Sequence, residues 1–246
     1  MNFKELITTK ENVYFGIMLT ISLVFYFFCI ITIIPIVYIL MIALCIYFAQ
    51  GLSIGMLKHN AVKINQEQFS DVYNKIVEYS EKMALKKIPD AYVMQSGGLL
   101  NAFATRFFFR DFVVIYSDVL ELAYEQGENA VNFIVAHELA HVKRGHLTKK
   151  KYILCAEIIP FLGMAYSRAC ETTCDNFAAA LVPENSTDGM LALIAGKKLY
   201  KKVSIDALLK SAYEESGFWT WFYEICSSHP NIVKRIENIK NLNLAK

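Results

Sequence analysis

The feature that most constrains this sequence is an apolar stretch, residues 12–57, that contains no acidic residue, basic residue or histidine. A single helix of that length, rising about 1.5 Å per residue, would be more than twice as long as the hydrocarbon core of a bilayer is thick, about 30 Å. Because Pro35 disfavours an uninterrupted helix, the sequence predicts two membrane spans, at about residues 13–33 and 36–55. A cleaved signal peptide would be shorter, and a buried hairpin of a soluble protein is the remaining alternative.

Residues 1–60 are therefore expected to form a membrane hairpin, and residues 61–246 the domain that follows it. Basic residues flank both outer ends of the hairpin, whereas the turn between the spans carries no charge: Lys4, Lys10, Lys58 and Lys63. The positive-inside rule then predicts an integral protein of the cell membrane, with its N-terminus and the following domain in the cytoplasm.

Net charge and cysteine spacing restrict the classes of partner that this chain is expected to have. The net charge of +2 argues against a nucleic-acid-binding surface. The six cysteines follow none of the spacings of secreted, disulfide-bonded domains. We therefore expect a lipid bilayer as a partner and no nucleic acid.

The motif His137-Glu138-Leu139-Ala140-His141 lies in a run with helical apolar periodicity. Residues four apart share one face of a helix, so His137 and His141 would present two imidazoles side by side, with Glu138 next to them. Neutral imidazole is a good zinc ligand, and catalytic zinc typically leaves one position open for water. The motif predicts a metal clamp with a neighbouring general base, against the alternative of two histidines spaced by coincidence.

Spacing excludes one subtype of zinc peptidase. The metzincin motif requires glycine at position 144 and histidine at position 147, where this chain has Arg144 and Leu147. His146 would fall on the side of a continuous helix opposite His137. We therefore expect His146 behind the clamp or at the surface rather than as a ligand.

The clamp needs a third ligand, and geometry leaves two acidic candidates, Glu157 and Glu171. Glu171 is followed one helical turn later by Asp175, which could accept the outer N–H of a ligand histidine. Cys170 and Cys174 are a further possible ligand pair, although two thiolates would close the site and leave the general base without a use.

The remaining pattern predicts an α+β domain that is mainly helical, with a small antiparallel sheet ahead of the clamp helix. The strand-like runs are residues 91–94, 102–108 and 112–116. An edge of this sheet could receive an extended peptide, or the sheet could serve only as scaffold. Helices are expected at residues 65–87, 119–124, 167–181, 187–201 and 204–215, with a last one from His229-Pro230 to about residue 240.

Two apolar segments remain ambiguous in the sequence. Residues 152–166 are too few for a membrane span, and we expect a buried or interfacial helix. The aromatic cluster at residues 218–223 could be core, membrane-interface belt or pocket wall, of which we expect core.

Four segments in order resemble the HtpX-type membrane zinc metallopeptidases, the family that also contains the CAAX prenyl proteases. They are residues 101–105 (NAFAT), 137–141 (HELAH) and 167–171 (SRACE) with Asp175, and His229-Pro230 followed by Arg235-Ile236. Together with the hairpin, these segments cover nearly the whole chain. The combination is much more specific than the H-E-x-x-H motif alone.

The resemblance implies a zincin-type (gluzincin) domain that hydrolyses peptide bonds of protein substrates, with misfolded or membrane proteins as the class that the family suggests. It implies one zinc ion per chain, held by His137, His141 and Glu171, with Glu138 as the catalytic base. It also implies supporting roles behind the ligands or in the transition state for Asp175, Asn101, His229 and Arg235.

The chain also departs from the family pattern. Relatives commonly carry two further spans between the clamp and the third ligand, whereas the interval from His141 to Glu171 has room for only one buried helix. The alternative function is a catalytically silent membrane scaffold with a structural zinc site. Glu138 argues against that reading, because a structural site has no use for a base.

Overall fold

The computed structural model describes residues 2–31, 33–95, 97, 101–107, 109–127, 129–184 and 186–244. Its helices are α1 Thr9–Ile31, α2 Ile33–Asn60, α3 Ser70–Lys82, α4 Ser117–Gln126, α5 Asn129–Arg144, α6 His146–Tyr152, α7 Leu162–Leu181, α8 Asp188–Ala195, α9 Ile205–Glu214, α10 Phe218–Cys226 and α11 Ile232–Leu244. Short 3₁₀ helices span Leu154–Ile158 and Tyr200–Lys202. The strands are β1 Val62–Ile64, β2 Asp90–Met94, β3 Ala102–Phe107 and β4 Arg110–Tyr116. The mainly helical α+β class is confirmed.

The N-terminal hairpin consists of α1 and α2, both long and apolar enough to cross a membrane. Pro35 lies in the first turn of α2, where proline is tolerated because no intrahelical N–H bond is lost. Of the predicted break between the two spans, near residues 32–35, residue 32 lies outside the described residues. Most large apolar side chains along residues 23–31 and 37–48 are exposed, as expected for helices that meet lipid.

The sheet has the order β1-β2-β4-β3, with β1–β2 and β3–β4 antiparallel but β2–β4 parallel. The expectation of an antiparallel sheet is therefore corrected to a mixed one. The strand that follows β2 in the sequence, β3, lies at the edge of the sheet and not next to β2. The chain then turns before Arg110, and β4 pairs with both β3 and β2. Among the described strands, β3 pairs only with β4, so no described strand covers its other edge.

The core lies where α5 packs between the sheet and α7. Both helices bury almost all of their central residues, which explains why neither shows a strongly one-sided apolar pattern. Gly189 of α8 allows a close approach to α5, because a Cβ atom there would lie 3.0 Å from the Ala130 oxygen and from a Phe133 ring carbon. The two histidines of the predicted clamp therefore lie on a buried, closely packed helix.

Two expectations about the apolar segments change. The aromatic cluster forms α10, whose described aromatic side chains are exposed, so its assignment to the core is wrong. Residues 152–166 form a 3₁₀ turn and the start of α7 rather than one helix, because Pro160 removes an N–H donor in the middle. The last helix begins at Ile232, two residues after Pro230.

Candidate metal centre

Two imidazoles of α5 face each other, as the motif spacing predicts. The Nε2 atoms of His137 and His141 lie 3.2 Å apart. The Glu171 carboxylate of α7 completes a triangle, with one oxygen 3.3 Å from His137 Nε2 and the other 3.3 Å from His141 Nε2. Ligand atoms about 2.0–2.1 Å from a tetrahedral zinc ion lie about 3.3 Å from one another, so the spacing suits such an ion.

Glu138 lies beside this triangle and is buried. Burial raises the pKa of the Glu138 carboxyl, while the neighbouring histidines and the Ala104 backbone N–H oppose that rise. A carboxyl group with a raised pKa accepts a proton more readily than one in water. The burial and the raised pKa of Glu138, beside the two imidazoles, are properties that a group for proton transfer requires.

Behind His137 stands a carboxylate that an arginine holds in place. His137 Nδ1 lies 2.9 Å from Asp175 Oδ1, off the line of an ideal hydrogen bond. Arg235 donates two hydrogen bonds of 2.7 Å to the Asp175 carboxylate. Burial alone would raise the pKa of Asp175, but Arg235 and His137 hold it below its usual value. An ionised Asp175 favours the proton on Nδ1, which leaves Nε2 free to bind a metal.

The carboxylates around His137 attract positive charge. Burial lowers the pKa of His137, but Asp175 and Glu171 outweigh this effect and raise that pKa to about 10. Burial alone would raise the pKa of Glu171, but the two clamp histidines outweigh burial and hold this pKa well below its usual value. A proton or a metal cation can supply the charge, and a metal would displace the proton. The donor set therefore fits a divalent cation.

Behind His141 stands a second histidine instead of a carboxylate. His141 Nδ1 and His146 Nδ1 lie 3.0 Å apart, and His146 Nε2 lies 3.2 Å from Glu11 Oε1. Burial lowers the pKa of His146 to about 4, so its ring is neutral. His141 can then donate its Nδ1–H to His146, and the His146 Nε2–H faces Glu11 of α1.

The position of His146 depends on the end of α5. Gly145 has a φ of 62°, a left-handed conformation that glycine adopts without strain, and the helix breaks there. A continuous helix would have placed His146 on the side opposite His137, as the sequence predicted. The break at Gly145 turns the His146 ring back towards His141. His146 therefore lies behind the clamp, as one of the two expected positions, but it reaches this position through the break and not along a continuous helix.

Comparison with known proteins identifies the family. The model of peptidase family M48 matches residues 64–155 and 147–243, more than half of the chain. The chain belongs to peptidase family M48. The resemblance drawn from the sequence is confirmed. No curated protein matches the chain closely enough to count as a relative.

In this M48 chain two cysteines also lie near the histidines. The Cys174 sulfur could join His137 and His141 as a donor set, and Cys170 could join Glu11 and His146. Burial raises the pKa of Cys174 well above its usual value and that of Cys170 to about 12, so both are thiols in the metal-free protein. The Cys174 sulfur lies 3.8 Å from His146 Nδ1, whereas the Glu171 oxygens lie 3.3 Å from the Nε2 atoms of both clamp histidines. We therefore favour Glu171 over Cys174.

Glu11 is already neutralised. Arg144 Nη2 and Lys149 Nζ lie 2.7 Å and 3.1 Å from its Oε1 atom. Two cations on one buried carboxylate leave little attraction for a metal ion. The Glu11, His146 and Cys170 set is therefore better explained as support for the clamp of the M48 centre than as a second metal site.

The other predicted residues lie around a cleft of about 580 Å³ in front of the clamp. Asn101 lines it, with its side-chain oxygen accepting a hydrogen bond from the Ala102 N–H. His229 lies at the rim, 63% exposed on its side chain, with Nε2 3.8 Å from Glu171. The alternative candidate for the third ligand is Glu157. It pairs with Lys150 and is not among the residues that line the cleft of this M48 domain.

Proposed function

We propose that the chain is a membrane-anchored zinc endopeptidase whose metal is held by His137, His141 and Glu171, with one ion per chain. The observation that carries the proposal is the pair of Nε2 atoms 3.2 Å apart, each 3.3 Å from one oxygen of the Glu171 carboxylate, next to the buried residue Glu138. Membership of peptidase family M48 supports peptide hydrolysis.

A bound zinc ion would polarise the scissile carbonyl and acidify water. Glu138 accepts the proton from the attacking water and delivers it to the departing amine, for which its raised pKa is suited. Asp175 and His146 hold the two ligand rings in the tautomer that presents Nε2 to the cleft. Asn101 and His229 are the cleft side chains available to contact the negatively charged oxygen of the transition state.

The edge of β3 is the proposed binding site for the substrate backbone. Asn101 O accepts from Tyr116 N, so alternation along an antiparallel pair directs the main-chain groups of Ala102 and Ala104 away from β4. Both residues line the cleft. The Ala102 N–H donates to the Asn101 side chain and the Ala104 N–H to Glu138, so the carbonyl oxygens of this edge are the groups proposed to accept from the N–H groups of the substrate. An extended peptide bound in this way passes in front of Glu138, which favours an endopeptidase acting on unfolded segments.

The proposal is tested with Glu138→Gln in the full-length protein. We expect zinc to remain bound at one ion per chain, because Gln keeps the shape and the ligands are untouched, while cleavage of casein is lost. Glu125→Gln, an exposed substitution on α4, is the matched control and should leave both unchanged. Full cleavage by Glu138→Gln would refute the mechanism; loss of zinc from wild type without any effect on cleavage would refute the metal.

The hairpin is proposed to anchor the domain, with the N-terminus and the M48 domain in the cytoplasm. The flanking lysines Lys4, Lys10, Lys58 and Lys63 support this orientation. Resistance of the membrane-bound protein to alkaline carbonate extraction tests the anchoring. Protection of both termini from protease in sealed cells tests the orientation, and digestion of either terminus from outside would reverse it.

A further inference from the structure

The M48 domain contacts α1 far along its length. Met18 packs with Ile153 and Ala156, and the Ser22 hydroxyl accepts a hydrogen bond from the Ala156 N–H at 3.2 Å. From Ser22 to Ile31 the helix rises only about 14 Å, at about 1.5 Å per residue, which is half of the roughly 30 Å hydrocarbon core. The part of α1 that projects beyond the domain is too short to span a bilayer.

The full apolar length of α1 does match a bilayer. From Val13 to Ile31 the rise is about 27 Å, close to the thickness of the hydrocarbon core. Glu11, with Arg144 and Lys149 on it, then lies at the polar boundary. The 3₁₀ turn, packed against Met18 and Ser22, lies about 8–14 Å inside that boundary by the same helical rise.

The second helix leads to the same conclusion. Tyr47 of α2 packs on Phe107 of β3 with ring centroids 5.5 Å apart. Tyr47 is only about 18 Å along the helix from Pro35, again well short of a full span. Both helices can cross the bilayer only if the side of the domain that packs against them enters it.

We propose that residues 152–161 and α10 form a lipid-facing surface, the immersed surface, that inserts into the cytoplasmic leaflet. This inference rests on the proposed anchoring by the hairpin. The exposed apolar side chains of the first segment are Tyr152, Leu154, Ile158, Ile159 and Phe161, with Ile158 75% exposed. Exposed apolar side chains at this depth are accounted for by lipid contact.

The exposed aromatic side chains of α10 continue this surface: Phe218, Trp219, Trp221, Phe222 and Tyr223. The rings of Phe161 and Phe222 lie 6.4 Å apart, which joins the two parts. Arg168 of α7 donates to the carbonyl oxygens of Glu224, Ile225 and Ser227 at 2.7–3.0 Å. Tryptophan and tyrosine favour the membrane–water interface, so α10 is a rigidly held interfacial helix.

The backbone of the turn tolerates an apolar environment. The Ala156 N–H is shared between Ile153 O and the Ser22 hydroxyl, and Ile159 N donates to Ala156 O. Pro160 has no N–H to satisfy. The charged residue of the segment, Glu157, lies 3.7 Å from Lys150, whose long side chain can reach the headgroups.

The chain provides its own reporter, because both of its tryptophans, Trp219 and Trp221, are in the immersed surface. Full-length protein is reconstituted into phosphatidylcholine–phosphatidylglycerol vesicles with and without acyl-chain-brominated phosphatidylcholine. We expect brominated lipid to quench the fluorescence strongly and aqueous iodide to quench it weakly. Strong iodide quenching with no effect of bromine would overturn the proposal.

Single-tryptophan variants separate the two parts. In a Trp219→Phe/Trp221→Phe background, Ile158→Trp should be quenched best by lipid brominated deeper in the acyl chain than the lipid that best quenches Trp219. Leu199→Trp in the same background is the control, since Leu199 is exposed but outside the immersed surface. It should respond to iodide and not to bromine; equal responses at both positions would contradict the proposal.

Carbonate extraction of the same vesicles distinguishes a failure of the immersed surface from a failure of the anchoring by the hairpin. Protein that resists extraction but shows no bromine quenching is anchored by the hairpin with a domain that stays in water, which refutes the immersed surface alone. Protein that carbonate removes is not anchored at all, which refutes the proposed anchoring together with the inference.

Discussion

His137 and His141 lie one turn apart on α5, yet the groups behind their rings come from different parts of the chain. Asp175 and Arg235, behind His137, belong to α7 and α11 of the M48 domain. His146 and Glu11, behind His141, link the ring to α1 of the hairpin. One half of the candidate centre is therefore local to the domain, whereas the other half requires α1 to be in place.

The two halves also differ in how deeply they bury the cations that pair with their carboxylates. The Arg235 side chain is 9% exposed, whereas the side chains of Arg144 and Lys149 are 17% and 23% exposed. Loss of a carboxylate should thus cost more on the His137 side. Substitutions behind His137 and behind His141 can therefore be compared separately.

Asp175→Ala should have the largest effect. It leaves Arg235 buried without its bidentate partner, which should lower the free energy of unfolding by about 3–5 kcal/mol. It should also weaken zinc binding by about 10–100-fold, because His137 loses the group that orients it. Tryptophan fluorescence during denaturation in detergent and competition with a chelator measure the two effects.

Asp206→Ala is the control for this substitution, because Asp206 pairs with Lys240 at an exposed position and should change neither quantity appreciably. If Asp175→Ala retains wild-type zinc affinity, the Asp175 side of the comparison has no role at the metal.

Glu11→Gln should have the next largest effect. We expect zinc binding to weaken by about tenfold, since His146 loses the carboxylate that fixes its ring behind His141. Chelator competition again measures this, and Glu5→Gln, an exposed residue just before α1, is the control. An unchanged affinity would mean that the hairpin supports the fold but not the metal centre.

These residues show what the sequence could and could not predict. The clamp motif gave His137, Glu138 and His141, and the structure brings Glu171 to the position that the family resemblance implied. The link to Glu11 was missed, because it depends on the break at Gly145. A glycine close to the end of a predicted helix, and an acid at the edge of an apolar span, were the available signals.

The aromatic residues of α10 were misassigned for a different reason. Core positions and lipid-facing positions select the same apolar side chains, so composition alone cannot distinguish them. Only the tertiary structure shows that α10 leaves its rings exposed. The short strand β1 and the parallel β2–β4 pair were also missed, because pairing between distant strands leaves little local signal.

His146 predicts a pH effect in chelated, metal-free protein. Its pKa is about 4 in the folded state, against about 6.5 for an unperturbed histidine. The unfolded chain therefore binds more protons between these values, and the stability from neutral His146 is full above pH about 6.5 and lost as pH falls towards 4. His146→Gln should flatten the pH dependence of unfolding in this window; an equally steep profile would exclude a neutral His146.

The smallest effect is expected from Cys174→Ala, which tests the alternative donor set of His137, His141 and Cys174. The Cys174 sulfur lies 3.8 Å from His146 Nδ1, whereas the Glu171 oxygens lie 3.3 Å from the Nε2 atoms of both clamp histidines. Zinc affinity should therefore be unchanged, and cobalt-substituted wild type should lack a thiolate-to-cobalt absorption band. Glu171→Gln is the matched comparison and should lose most of the bound metal. Loss of metal from Cys174→Ala with retention in Glu171→Gln would assign the third ligand to sulfur, and a structural role for the centre would then be favoured over catalysis.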